Sequence, residues 1–265
     1  MASTASLTAH LTSLHLNSTP YSSATEHPFL TAAGNGTLPD ALLALWLSQD
    51  RIYAAHAYPQ FIGHLISKIP FSSSHTLDSI EERKNQQILE LLVFSLENIV
   101  KEASFFRDVS KKWGLDLECW KERKATRDYT AEMARIANSG TLEDGVVFLW
   151  AMEQVSFIRT VQSQPELTLS KVYFDAWKYV ASLQRKNGSS TIDPSANAVS
   201  TFTSNWTSPE FYKFVEDLAA TVNGFDIPPD SVAWKKAKEI WVRIIELEEA
   251  FWPTDGEEKC TCAVV

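Results

Sequence analysis

Asp40-Ala-Leu-Leu-Ala-Leu-Trp-Leu-Ser-Gln-Asp-Arg-Ile-Tyr53 sets Leu42, Leu45, Trp46, Gln49 and Tyr53 three and four residues apart. That spacing is one face of an α-helix, so the segment reads as the start of a long helix, Ala41 to Ile69, opened by Pro39. Ala57 continues the stripe, and Pro59 is the expected site of a kink. The same period recurs downstream. Ile88, Leu91, Leu92, Leu96 and Ile99 line one side of a helix from about Ile80 to Trp113, with Glu and Lys opposite and Gly114 as its stop. Ala125 to Ala137 forms another, closed by Asn138-Ser-Gly140. Leu142 to Gln154 is almost wholly apolar from Val146 to Met152 and should be central. Ser208-Pro-Glu opens a helix to Val222, and Ser231 caps the last helix, which reaches Trp252 and stops at Pro253. The expected fold is an all-α, multi-helical bundle, with residues 1–265 forming a single domain.

Composition agrees. In 265 residues, 45% apolar and 22% charged, nine Trp and fourteen Phe supply large surfaces to bury, and only nine Gly disfavour a sheet-rich design. A formal charge of −9 argues against duplex nucleic acid or an anionic membrane as partner, because both need a concentrated basic face. A small neutral or cationic ligand suits the chain better. No stretch reaches the roughly 18 consecutive apolar residues that span a bilayer, and the Ser/Thr-rich start carries no basic residue before Arg51. The expected compartment is the cytoplasm. Three cysteines, Cys119, Cys260 and Cys262, give no framework of paired bridges, which fits a reducing environment. Cys262-Ala-Val-Val has only the outline of a prenylation box, with no polybasic stretch before it.

Three stretches depart from the helical order. Residues 182–205 are rich in Ser, Thr and Asn and carry Pro194, so they read as a surface loop, and 253–265 reads as a flexible tail. Val155 to Lys171 is the third. Joining Glu153-Gln154 directly to Val172-Tyr-Phe-Asp-Ala-Trp177 gives one continuous amphipathic helix, which Pro165 would break. Val155-Ser156 can be encoded by GTAAGT, Leu167-Thr168 can contain CTAAC, and Lys171 can end in AG. The segment therefore reads as a translated, unspliced fungal-type intron, the alternative being an inserted loop.

Several residues sit where chemistry could be done. Asp50 and Tyr53 lie on the apolar stripe of their helix and should point toward the core. A carboxylate there is either satisfied by a Tyr or Trp hydrogen bond or accepts the amino edge of a flat heterocycle. Glu153 follows an apolar run, where a charge is costly unless paired or used in proton transfer. Glu248 lies in Glu246-Leu-Glu-Glu-Ala-Phe-Trp252, among acids whose ordinary place is a solvated helix face. No HExxH or CxxC accompanies His27, His56 and His64, so no metal or cofactor is expected, and phosphate loops and GxSxG elbows are absent.

The order His27-Pro-Phe-Leu, Gly34-Asn-Gly-Thr-Leu-Pro39, Leu47-Ser-Gln-Asp-Arg-Ile-Tyr53, Phe148-Leu-Trp-Ala-Met-Glu153, Val172-Tyr-Phe-Asp-Ala-Trp177, Trp206-Thr-Ser-Pro-Glu-Phe211 and Glu248-Glu-Ala-Phe-Trp252 resembles the TenA family over nearly the whole chain. The resemblance implies a haem-oxygenase-like bundle, often a homo-oligomer. It also implies hydrolysis of the amine from an aminomethylpyrimidine breakdown product of thiamine, giving the hydroxymethylpyrimidine for salvage. By the same resemblance Asp50 binds the pyrimidine's amino edge, Tyr53 and Tyr129 orient the site, and Glu248 shuttles protons. The nucleophilic Cys of one branch falls on Met152, which cannot attack carbon. The chain thus resembles the branch without that Cys, with Glu153 the candidate for compensation and Trp206 near the place of a missing tyrosine. Two other readings stay open. One is a catalytically silent or repurposed pyrimidine-binding protein. The other is a di-iron oxidase of the same fold, which needs an acid followed seven residues later by His, whereas Glu97 is followed by Ser104 and Glu90 by Glu97.

Overall fold

A computed structural model describes residues 6–14, 20–154, 172–187, 192–207 and 209–261. Its helices, in chain order, are α1 (Leu7–Thr12), α2 (Tyr21–Thr25), α3 (Pro28–Asn35), α4 (Asp40–Ile52), α5 (Tyr58–Ser67), α6 (Ile80–Trp113), α7 (Lys124–Ser139), α8 (Leu142–Gln154), α9 (Val172–Lys186), α10 (Ala198–Trp206), α11 (Pro209–Asn223), α12 (Val232–Phe251) and α13 (Glu258–Thr261). Among the described residues there is no β-strand, and no helix is long and apolar enough to cross a membrane. Val155 to Lys171, Ser208 and Cys262-Ala-Val-Val lie outside the described residues.

The boundaries follow local chemistry. Ser79 and Ser231 begin α6 and α12 by accepting from the backbone N–H groups of Glu82 and Trp234, and Gly114 ends α6 in the left-handed conformation. His27 caps α3, its Nδ1 accepting from the Phe29 N–H at 3.2 Å. The central place expected for α8 is observed: every residue from Asp144 to Gln154 is buried, and the helix packs on α11 and α12. Gly145 lets α5 approach α8, since a Cβ there would lie 2.2 Å from Leu65 Cδ2. Leu65 lies against Gly145, and Tyr58 reaches Glu153 at the other end, so α5 runs antiparallel to α8.

Three expectations need correction. The helix expected from Ala41 to Ile69 is two helices joined by a π turn, Tyr53–Ala57, in which the Tyr58 N–H bonds to the Tyr53 carbonyl. Pro59 is the cause: with no N–H it cannot bond the carbonyl four residues back, and the wider turn precedes it. Residues 182–205 are not one loop. α9 runs on to Lys186, and α10 begins at Ala198, where Asn197 accepts from the Ser200 N–H at 2.8 Å. Ala198, Phe202 and Trp206, each four apart, bury one face of α10, so its polar residues mark only the other face. Residues 253–261 of the expected tail are also anchored. Arg123 holds Glu257 at 2.6 Å and donates to the Phe251 carbonyl, and α13 follows.

A cluster of large rings fixes the middle of the bundle. Trp46 of α4 touches Trp177 of α9, Phe202 and Trp206 of α10, and Trp252, with ring centroids 5.7–5.8 Å apart. Phe202 and Trp206 stack at 5.1 Å and 13°. This packing sets the rotamer of Trp206, which forms one wall of the site.

Candidate functional site

A cavity of about 220 Å³ opens between α4, the π turn, α5, α6, α8, α10 and α11. Such a volume is small for a binding site and suits a single heterocycle with a short arm. Asp50, Tyr53, Met152, Glu153 and Trp206 line it, together with Tyr58, Glu102, Phe105 and Phe211. Four of the six residues expected in the site are therefore on its wall. The other two, Tyr129 and Glu248, form a pair behind it: the Tyr129 hydroxyl donates to Glu248 Oε1, and the Tyr129 ring lies 5.2 Å from that of Tyr53.

Glu153 accepts from the Tyr58 hydroxyl at 3.0 Å. Burial first, then the nearby charges of Glu102 and Glu248, raise its carboxyl to a pKa of about 8 against the lowering effect of the Tyr58 bond. Glu248, 3% exposed, is raised by burial to about 7, with Tyr129 acting the other way. At neutral pH the site thus holds Glu153 mainly protonated, an acid able to donate. Tyr53, Tyr58 and Tyr129 are all pushed well above the ordinary tyrosine value by burial and by the surrounding carboxyls, so they remain neutral donors. The Tyr53 hydroxyl points to Met152 Sδ at 3.4 Å. Met152 therefore occupies the cavity wall next to Glu153, and a thioether there is no nucleophile.

Glu102 and Tyr58 line the cavity and were not among the sequence candidates. Glu102 accepts from Trp206 Nε1 at 2.5 Å, and burial raises its pKa to about 7. Its signal was available: Ser95, Ile99, Glu102 and Phe106 follow helical spacing on the inward stripe of α6. Tyr58 was hidden by the π turn. Five residues of regular α-helix turn a side chain about 140° away, whereas i and i+5 lie together across a π turn. The Tyr53 and Tyr58 rings accordingly meet at 5.9 Å. Gln49, also on the sequence stripe, is structural: its Oε1 accepts from the Arg123 N–H and the Thr126 hydroxyl, both at 2.8 Å. Among the described residues no group of three or more His, Cys, Asp or Glu is placed to hold a metal ion.

A family model described as TENA/THI-4/PQQC matches residues 17–258. A probable transcription factor of Fusarium pseudograminearum is 28% identical over 213 residues, covering 76% of this chain and 42% of that protein. The chain thus spans under half the length of that relative. A probable bifunctional TENA-E protein of Glycine max is 24% identical over 175 residues, 62% of this chain and 72% of its own. Among solved structures, a TenA homologue from Pyrococcus furiosus superposes with a TM-score of 0.65 at 20% identity, covering 88% of this chain and 92% of the other.

Proposed function

The chain belongs to the TENA/THI-4/PQQC family, with its all-α, haem-oxygenase-like fold, and from that premise we propose that it hydrolyses an aminomethylpyrimidine derived from thiamine, releasing ammonia and the hydroxymethylpyrimidine. The observation that carries this reading is the buried carboxyl of Glu153 on the wall of a small cavity, bonded by Tyr58 and pushed up to about 8, with the Met152 thioether beside it. Asp50 accepts hydrogen bonds from the amino edge of the ring. Tyr53 and Trp206 bound it with aromatic surface and exclude bulk water. The amine nitrogen leaves only when it carries three protons, Glu153 supplying the third wherever the amine is neutral, and the carbon–nitrogen bond breaks as water adds to the methylene carbon. Nitrogen leaves as ammonia with that proton, and the proton lost by water passes to the second carboxyl, for which Glu248 is the candidate. Tyr129 positions Glu248, and Tyr53, which stands between the pair and the cavity, relays the proton to it through its hydroxyl.

Ammonia release from an aminomethylpyrimidine, measured on the purified chain, tests this. Glu248→Gln abolishes release while circular dichroism shows an unchanged fold; retained turnover removes Glu248 from the mechanism. The presence of Met152 also supports a second reading, a protein that binds the pyrimidine without converting it, and saturable binding with no ammonia would decide for that one.

A further inference from the structure

We propose that Glu102, held by Trp206 and neighbouring Glu153, is the counter-ion that receives the substrate's amine in its protonated form and so selects an amine over a neutral alcohol. The proposal rests on the amine-releasing reading of the site and adds a residue that reading does not use. Its basis is the balance of charge around the cavity. Asp50 enters from α4, Glu153 from α8 and Glu210 from α11, while Glu102 and Lys101 come from α6. Lys101 is the one cation among the described lining residues, and it and Glu210 are exposed, placing them toward solvent. The groups facing Glu102 are therefore carboxyls and the neutral phenols Tyr53 and Tyr58. A cavity lined by the buried Asp50 and Glu153 and the half-buried Glu102, with no buried cation, favours a bound ammonium once Glu102 is ionised.

Geometry singles out Glu102 from the others. The Trp206 Nε1–H bonds one carboxyl oxygen at 2.5 Å, and Trp206 is itself fixed by Phe202 and Trp46. The indole thus aims the carboxyl while its ring walls the cavity. Glu153 is tied separately to Tyr58, and the charge of Glu102 is the leading charge acting on it. The two carboxyls resist ionising together, so an arriving ammonium finds one anion, Glu102, while Glu153 keeps its proton for an amine that has lost its own. Burial holds Glu102 near 7, against the indole bond; the carboxylate is present above that pH and neutralised below it, while the substrate's ammonium persists up to its own pKa.

Binding of an aminomethylpyrimidine and of its hydroxymethyl counterpart, read by tryptophan fluorescence in stopped flow before turnover, tests the assignment. The wild-type chain is expected to bind the amine about tenfold more tightly than the alcohol at pH 8, with the preference fading toward pH 6. Glu102→Gln is expected to lose most of that preference at pH 8 while binding the alcohol within about threefold of wild type. Trp206→Phe removes the donor that holds the carboxyl down and shifts the midpoint of the pH dependence upward, a change that loss of packing alone would not produce. A wild-type chain without preference for the amine, or a Glu102→Gln chain with the preference and its midpoint unchanged, overturns the proposal. Ammonia release is followed in parallel. Preference without ammonia removes the hydrolytic reading and leaves the counter-ion standing; ammonia with the preference intact in Glu102→Gln does the reverse.

Discussion

Tyr53 stands between two tyrosine–glutamate pairs that share one chemistry and differ in what surrounds them. Tyr58 donates to Glu153, Tyr129 donates to Glu248, and both carboxyls are buried. Glu153 lines the cavity and feels the charge of Glu102, and its pKa is about 8. Glu248 is screened from the cavity by the Tyr53 ring, and burial brings it to about 7 against the lowering effect of the Tyr129 bond. The hydrogen bond is the same; the neighbouring charge and the open side are not. A buried Tyr–Glu pair is thus a neutral part, and its exposure to the cavity decides whether it can meet a substrate.

The strongest way to break that comparison is to disable one pair at a time. Glu153→Gln is expected to lower kcat for ammonia release by about 10²–10⁴-fold, the usual worth of a positioned proton donor. It should also erase the fall in rate above pH 8, whereas Glu248→Gln should leave that upper limb in place on whatever rate survives. Loss of the same limb in both variants would show that the pairs titrate as one unit.

Trimming the donors sharpens the contrast. The Tyr58 bond lowers the Glu153 pKa, so Tyr58→Phe should move the upper limb to higher pH. Tyr129→Phe should leave it in place. Each change also removes one buried hydrogen bond, at roughly 1–2 kcal/mol of stability by denaturant titration.

A weaker effect is shared by both pairs. Glu102, Glu153 and Glu248 have folded values of about 7 to 8 against an ordinary 4.5, so the folded chain keeps protons that the unfolded chain has lost. Their contribution to stability is complete below about pH 4.5 and is lost as pH rises through 7 to 8. The melting temperature should therefore fall by roughly 5–10 °C from pH 5 to pH 8. Glu153→Gln should flatten that slope more than Glu248→Gln, and an unchanged slope in both would contradict the assigned values.

The smallest expected change concerns Val155 to Lys171, which begin two residues after Glu153. A chain without them, joining Gln154 to Val172, should release ammonia within about threefold of the full chain or faster, if the segment is intron-derived and α8 positions Glu153 unaided. Sequencing the transcript across Gln154 decides the origin: a message that uniformly retains these codons removes the intron reading.

Much of this arrangement was legible in the sequence, and the parts that were not share a cause. α6 could be bounded because an apolar period, a serine cap and a glycine stop all agree there, and α8 because its apolar run is continuous. Asp50, Tyr53 and Glu153 could be singled out because polar groups on an apolar stripe stand out. α10 escaped because Ser, Thr and Asn on its outer face outweigh Ala198, Phe202 and Trp206 on its inner one. Glu102 escaped because α6 carries many acids and its charged residues were assigned to the solvent side. Tyr58 could not be placed from spacing at all, since the helical period changes immediately before it.

The π turn also restricts how this protein can vary. Helix phase changes in whole residues, about 100° for each one added or removed. Shortening 53–57 by one residue would swing Tyr58 off Glu153 and, in the same step, turn Phe61, Ile62 and Leu65 out of the core they now fill. No intermediate length exists through which such a change could be made gradually. Substitutions can retune the site a little at a time, but in this segment the number of residues is either kept or the bundle is lost.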